Sequence, residues 1–280
     1  MEQELIDSRD TVYGIDFSGA KNAGSKIYIT EASRSGSGFT IDSVESAADR
    51  FDTPQREEIL ESLLSLITCY RSKTAIFGFD FPFSLPKSAH VDPEDREWAE
   101  FIAEFRTEFS KATTPEEFRG LCTDRLEGLD DSDPEKRRET DICTAAQSPL
   151  GPQIKHQVYY GIKDLLHPLV DDRSARVLPM QKPALNVPWI VETYPAATLG
   201  SLRTYRHGYK NHHKNGKSRR KKILDRLKAD GLDFDAAHRE QAEKNDDALD
   251  SLVCAFAVIR ALAEKEPLDD EVGIEGKIIV

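Results

Sequence analysis

Short apolar runs bounded by turn residues predict the strands of a sheet. Thr11–Phe17 is followed closely by Lys26–Ala32 and Gly38–Val44, and the short connections predict an antiparallel meander. Thr74–Phe81 and Val187–Thr193 have the continuous apolar character of buried strands. We expect Thr74–Phe81 to lie parallel to the first strand, so the pattern predicts a mixed sheet.

Apolar positions with helical spacing follow these strands. A Thr-Pro pair at 53–54 predicts the start of a helix that ends near Arg71. A narrow apolar stripe predicts a helix from Ser218, and the strongest stripe predicts a helix over Gln241–Ala263. The tail, residues 276–280, has the character of a short edge strand. The fold class is therefore α/β, with a mixed sheet flanked by helices.

One long segment departs from the strand pattern. Residues 87–185 are polar and charge-rich, with helical periodicity, and they include an acidic stretch at 129–134. We interpret 87–185 as a helical insertion within a single domain that spans 1–280, because 280 residues suit one large domain or a core with one insertion.

The composition restricts the class of protein. Of 280 residues, 39% are hydrophobic and 31% are charged, which is typical of a globular protein and not of a disordered one. The longest apolar run, Ser251–Ile259, is far shorter than the roughly 20 residues that cross a bilayer. The N-terminus lacks the pattern of a secretory signal, so we expect a cytoplasmic protein without a membrane partner. The four cysteines have no zinc-type spacing.

The net charge of -12 conceals an uneven distribution. Residues 203–228, the basic arm, contain 11 Lys or Arg residues and one acid, Asp225, while the rest of the chain is strongly acidic. A basic arm on an acidic body is typical of a protein that binds a polyanion on one face. The same pattern also occurs in a solvated helix that has no partner.

The basic arm supplies candidate contacts to nucleic acid. Cationic side chains would bind backbone phosphates, and an aromatic ring would stack on an unpaired base. The candidates are Tyr205, Arg206, Lys210, Arg219 and Arg220. Alternatively, Tyr205 and Tyr209 anchor the arm on the core.

Three predicted strands end in an acid: Asp16, Asp80 and Glu192. The carboxyl ends of parallel strands meet at one edge of a sheet, where open α/β folds build their sites. Asp247 and Asp250 lie three residues apart on one face of the last helix, which can direct both at that edge. Clustered carboxylates repel one another unless a cation neutralises them, and oxygen-only ligands favour Mg²⁺ or Mn²⁺.

Each acid also has a purely structural interpretation. Asp80 can form a turn before Phe-Pro, Glu192 can pair with an arginine, and Asp246 can cap the last helix. Their joint placement at three strand ends and on one helix face favours a common site.

Four motifs resemble a known family. They are Gly14-Ile15-Asp16-Phe17-Ser18-Gly19, Gly78-Phe79-Asp80-Phe81-Pro82-Phe83, Val191-Glu192-Thr193-Tyr194-Pro195 and Asp246-Asp247-Ala248-Leu249-Asp250-Ser251-Leu252. They look like the family numbered 429 among domains of unknown function, usually described as predicted RNase H-like nucleases. The resemblance covers 11–86 and 187–262. It implies an RNase H-like mixed sheet, with three antiparallel meander strands plus parallel strands, flanked by helices.

The resemblance also implies a metal site. In the RNase H and RuvC-like layout, acids on the first strand, the fourth strand and the last helix hold two metal ions. By that match the metal-ligand candidates are Asp16, Asp80, Asp247 and Asp250, with Glu192 as an added or substitute ligand. Arg138, in a segment at 138–141 that also resembles the family, is a further candidate for substrate binding.

These observations predict a Mg²⁺- or Mn²⁺-dependent nuclease that hydrolyses phosphodiester bonds of DNA or RNA with two metal ions. Two alternatives remain open. One is a phosphotransferase of the actin-like and sugar-kinase kind, which shares the core and an Asp-x-x-Gly turn like Asp16–Gly19. The other is a nucleic-acid binding module that keeps the acids for folding and has no turnover.

Overall fold

A computed structural model describes residues 3–36, 38–126, 134–264, 268 and 272–280 of the protein. Within these residues seven strands form one mixed sheet. The strands are β1 (Thr11–Asp16), β2 (Tyr28–Ser35), β3 (Gly38–Ser46), β4 (Ala75–Phe79), β5 (Arg176–Leu178), β6 (Trp189–Thr193) and β7 (Ile278–Ile279). The acidic stretch predicted at 129–134 lies almost wholly outside the described residues.

The sheet has the strand order β3-β2-β1-β4-β6-β5, with β7 also paired to β6. The first three strands are antiparallel, which confirms the predicted meander. β4 is parallel to β1, as predicted, and β5, β6 and β7 continue the parallel part. The protein is therefore a mixed α/β protein whose parallel strands all end at the same edge of the sheet.

Helices cover both faces of the sheet. They are α1 (Gln3–Asp7), α2 (Ala47–Phe51), α3 (Arg56–Thr68), α4 (Trp98–Glu108), α5 (Pro115–Asp124), α6 (Glu139–Thr144), α7 (Lys155–Gly161), α8 (His167–Asp171), α9 (Pro195–Ser201), α10 (Gly216–Ala229), α11 (Ala236–Lys244) and α12 (Asp246–Glu264). No helix in the described ranges is both long enough and apolar enough to cross a bilayer.

Two apolar cores lie on opposite faces of the sheet. Side chains alternate between the faces along each strand, so Ile15 and Phe79 join the core under α3, α4, α5, α7 and α8, whereas Val12 and Ile76 join the core under α9 to α12. The segment 87–185 contributes α4, α5, α7 and α8 to the first helical layer. It also contains β5, which the sequence pattern missed because the strand has only three residues.

Glycines allow the last helix to lie directly on the sheet. A Cβ atom at Gly14 would lie 2.2 Å from both Ser251 O and Ala255 N, and one at Gly78 would lie 2.7 Å from the side chain of Val258. Because these glycines have no side chain, α12 crosses β1 and β4 at backbone contact distance. This contact fixes the height of α12 along the strands.

Some predicted helix boundaries differ from the structure. The helix predicted from Thr53 begins as α3 at Arg56, and the helix predicted from Ser218 begins as α10 at Gly216. The predicted helix 241–263 is two helices, because Asn245 adopts an extended backbone between α11 and α12. That break lets the chain turn and start a new helix at the edge of the sheet.

Candidate functional site

The acids of the first and fourth strands lie side by side. Asp16 is the last residue of β1, and Asp80 follows β4, where its backbone N–H donates to Ile15 O at 3.0 Å and continues the pairing of the two strands. The parallel register pairs Gly14 with Gly78, so Asp16 and Asp80 extend from the same face, two residues beyond the glycines. That face is covered by α12.

The start of α12 brings three further acids to the same place. Ser251 lies against Gly14, so the first turn of α12 lies level with the end of β1. Two strand residues span roughly 7 Å, and one helical turn rises about 5.4 Å. Asp246, Asp247 and Asp250 therefore lie beside Asp16 and Asp80, and we call these five residues the acidic cluster.

Burial and mutual repulsion act on the acidic cluster together. Burial raises the pKa of Asp16 well above its usual range, and the charges of Asp250 and Asp80 raise it further, against the opposing charge of Lys210. Burial together with Asp250 raises the pKa of Asp80 to about 8. The pKa of Asp250 is also raised by burial, although Lys210 opposes the shift. Such perturbed acids in a cleft are typical of functional sites.

Lys210 is the internal counter-ion of the acidic cluster. Its Nζ forms an ion pair with Asp250 Oδ2 and lies 3.8 Å from Asp246 Oδ2. Burial alone would lower the pKa of Lys210, but the charges of Asp250 and Asp16 outweigh burial and raise it above its ordinary value. Lys210 is therefore charged, and it partly neutralises the acids.

The loop that carries Lys210 is tied to the same acids. The hydroxyl of Tyr209, which is 3% exposed, donates to Asp250 Oδ1 at 2.9 Å. The guanidinium of Arg220 donates to Tyr209 O and, at 3.0 Å, to Glu243 O. Tyr209 thus anchors the basic arm on the core, as the structural alternative for this residue predicted.

The cap of the last helix is Asn245 and not Asp246. Asn245 Oδ1 accepts from the backbone N–H groups of Asp247 and Ala248 at 2.7 and 3.2 Å. The prediction that Asp246 serves as the cap is therefore wrong. An Asn before an apolar run is an N-cap signal, which could have identified it in the sequence.

Glu192 lies on the other face of the sheet. The register pairs Glu192 with Phe79 rather than with Asp80, so the two-residue period of the strand directs it away from α12. Its carboxylate accepts two hydrogen bonds from Arg138, at 2.5 and 2.8 Å, and one from Phe83 N–H at 2.9 Å. The structural alternative for Glu192, an arginine pair, is the arrangement found.

Arg138 is a buried structural cation. Its side chain is completely buried and binds Glu192 on one side and Asp141 Oδ1, at 2.7 Å, on the other. This geometry leaves no exposed part of Arg138 to contact a nucleic acid, contrary to the prediction that it binds substrate. The contact joins the helical insertion to β6, and Arg138 and Glu192 both border the cleft described below.

The remaining substrate-binding candidates differ in accessibility. Arg206 lines the cleft, with one guanidinium nitrogen donating to Thr144 O at 2.7 Å. Tyr205 is partly exposed beneath the cations of Arg219 and Lys222, whose distances to the ring centre are 5.2 and 5.7 Å. Arg220 is only 4% exposed and supports the loop, so it is poorly placed for phosphate binding.

A cleft of about 330 Å³ opens beside the acidic cluster. It is lined by Asp80 and Asp250 and also by Lys210, Arg206 and His213. Its volume lies at the lower end of the range for small-molecule sites. The cleft therefore offers acids and cations to the same bound group.

The donor chemistry of the acidic cluster fits a hard divalent cation, because all its side-chain donors are carboxylate oxygens. Among the described residues, however, no three Asp, Glu, His or Cys side chains are grouped so that they hold a metal ion. Lys210 holds Asp250 in the cluster instead. Nothing in the spacing of the sequence indicated this lysine as a partner of the acids.

The fold and the site together define a mixed α/β protein with an acidic cluster at one edge of its sheet and a basic arm beside it. The model of the family described as "Protein of unknown function (DUF429)" matches residues 166–271. The match supports the family resemblance over this segment, which carries Glu192, Lys210 and the α12 acids. The searches of curated proteins and of solved structures gave no match.

Proposed function

We propose that the protein is an RNase H-like nuclease that hydrolyses phosphodiester bonds of DNA or RNA with Mg²⁺ or Mn²⁺. The observation that carries this proposal is the convergence of Asp16, Asp80 and Asp250, from two strands and one helix, beside a cleft that Lys210 and Arg206 also line. A carboxylate set of this kind is suited to divalent cations, and cationic side chains beside it are suited to a phosphate backbone.

The arrangement of elements supports the same proposal. An antiparallel meander followed by parallel strands, with acids on the first strand, after β4 and on the last helix, is similar to the RNase H-like layout. The sugar-kinase alternative shares these elements, so the layout by itself does not separate the two. The basic arm favours the nuclease, because a long polyanion needs an extended cationic surface.

The proposed roles follow from position. The charges of Asp80, Asp247 and Asp250 all act on the carboxyl of Asp16, so Asp16 would be the central ligand and the other three the outer ligands. The metal ions would supply an activated water and stabilise the leaving oxygen. Tyr209 orients Asp250 through its 2.9 Å hydrogen bond. Arg206 and His213, which also line the cleft, would hold the phosphate backbone.

Glu192 has no ligand role in this proposal. It faces Arg138 and supports the loop that follows Asp80 by accepting from Phe83 N–H. Its contribution is to position the loop 80–83 at the edge of the cleft.

The test is cleavage of single-stranded, double-stranded and hybrid substrates with Mg²⁺ or Mn²⁺. We expect Asp16→Asn and Asp250→Asn to reduce the cleavage rate by at least about 100-fold. Loss of a residue that only hydrogen-bonds to a metal ligand already reduces metal affinity or activity by about 10- to 100-fold. The matched control is Asp42→Asn, which removes an exposed carboxylate on β3 that is not part of the acidic cluster. Full activity in Asp16→Asn would contradict the proposal.

The ion pair between Lys210 and Asp250 favours one alternative, a binding module without turnover. This ion pair partly neutralises the acidic cluster in the absence of a metal ion, so the fold does not require a metal ion. Nucleic-acid binding that persists in EDTA, with no cleavage under either metal, would favour this alternative.

A further inference from the structure

The ammonium of Lys210 occupies a position among the carboxylates of the acidic cluster. It pairs with Asp250 Oδ2 and lies 3.8 Å from Asp246 Oδ2. Asp250 is almost completely buried, with a side chain only 3% exposed, whereas the side chain of Lys210 is 37% exposed. The ion pair therefore joins a fixed acid to a lysine that borders the open cleft.

The backbone of Lys210 is fixed although its side chain is not enclosed. The start of α10 packs against it so closely that a Cβ atom at Gly216 would lie 2.4 Å from Lys210 O. Arg220 and Asp250 hold the neighbouring Tyr209 from two sides. A lysine side chain has four rotatable carbon bonds, so the ammonium can move while the loop stays in place.

One ammonium does not balance the acidic cluster. Lys210 contacts only Asp250 and Asp246 of the five carboxylates, and repulsion among the acids persists, as the raised pKa values of Asp16 and Asp80 indicate. A divalent cation would bind carboxylate oxygens at about 2.0–2.1 Å. This cation would be strongly repelled by the Lys210 ammonium if both bound the same Asp250 oxygen, because like charges a few ångströms apart repel strongly in a partly buried site.

We infer that Lys210 is an exchangeable counter-ion: it pairs with Asp250 in the metal-free protein and leaves this carboxylate when a divalent cation binds. This inference rests on the proposed function, since it assumes a metal at the acidic cluster. The released ammonium remains at the cleft, beside Arg206 and His213. There it becomes available to a phosphate group of the substrate, so one residue serves the metal-free and the metal-bound protein in turn.

The first test measures Mn²⁺ affinity by calorimetry in the wild type, Lys210→Met and Lys26→Met. Lys26 is the matched control, because it is exposed and its charge acts on Asp247 of the same cluster. Direct competition predicts at least about tenfold tighter binding in Lys210→Met. Removing the exposed Lys26 charge should change the affinity by less than about threefold. Equal effects of the two substitutions would overturn the inference.

The second test uses the wild type, so it does not depend on the folding of a variant. Acetic anhydride labelling followed by mass spectrometry measures the reactivity of each lysine with and without Mn²⁺. We expect Mn²⁺ to increase labelling of Lys210 several-fold relative to Lys26, because the ion pair with Asp250 is broken. Unchanged labelling of Lys210 at saturating Mn²⁺ would overturn the inference.

The two tests separate the failure of this inference from that of the proposed function. If the wild type binds Mn²⁺, Asp250→Asn does not, and Lys210→Met binds as the wild type does, only the exchange is wrong. If neither the wild type nor Lys210→Met binds Mn²⁺ or Mg²⁺, the metal site itself is wrong and both proposals fail.

Discussion

Replacing Asp80 by Asn removes one charge from the acidic cluster and tests whether its acids are held together at a cost in stability. In the described part of the chain, no hydrogen bond to the Asp80 carboxylate is found that the substitution would break. Burial together with the charge of Asp250 raises the pKa of Asp80 to about 8 in the folded protein. In the unfolded chain an Asp has a pKa of about 3.9.

The sign of the effect follows from proton linkage. The folded protein binds the Asp80 proton more tightly than the unfolded chain does, so ionisation of Asp80 lowers the free energy of unfolding. This loss begins above about pH 4, grows up to about pH 8 and is constant beyond. The interval between 3.8 and about 8 corresponds to roughly 6 kcal/mol, because one pKa unit is equivalent to about 1.4 kcal/mol.

Asparagine must still bury an amide, which costs roughly 1–2 kcal/mol. We therefore expect Asp80→Asn to raise the free energy of unfolding by about 4 kcal/mol at pH 8.5 in EDTA. At pH 4.5 we expect no gain. The substitution should also remove metal-dependent cleavage, since stability and function oppose each other at such a site.

The assay is urea unfolding in EDTA between pH 4.5 and 9. Asp42→Asn serves as control, since it removes an exposed carboxylate and should leave the stability within about 0.5 kcal/mol of the wild type. The difference curve reports the loss of the Asp80 charge together with its effect on Asp16, whose pKa that charge raises, and both contributions have the same sign. A variant that is less stable than the wild type at pH 8.5, or a difference that does not change with pH, would refute the reasoning.

Two further substitutions test the packing that builds the site. Gly14→Ala would place a Cβ atom 2.2 Å from Ala255 N, so urea unfolding should show a free energy of unfolding lower by about 3 kcal/mol or more. The control Gly38→Ala has open space around the new Cβ atom and should have little effect. Arg138→Met leaves Glu192 buried without its cation and should cost about 3–5 kcal/mol, measured by thermal unfolding at neutral pH. Wild-type stability in either variant would contradict the packing described.

Much of the sheet could be predicted because its signals are local. The meander, the parallel fourth strand and the short terminal strand each follow from a run of apolar residues and the length of a connection. The three-residue strand β5 could not be predicted, since it is too short to show a period. The break at Asn245 was missed, although an Asn that precedes the apolar run of α12 is an N-cap signal.

The sequence by itself determined that acids end the strands and begin the last helix, and that cations concentrate at 203–228. Only the tertiary structure decided which of these groups meet. Register placed Asp80 beside Asp16 but Glu192 on the opposite face, because a shift of one residue reverses the direction of a side chain. Long-range packing joined Lys210 to Asp250 across 40 positions, a pairing that depends on how the helices pack and not on any local pattern.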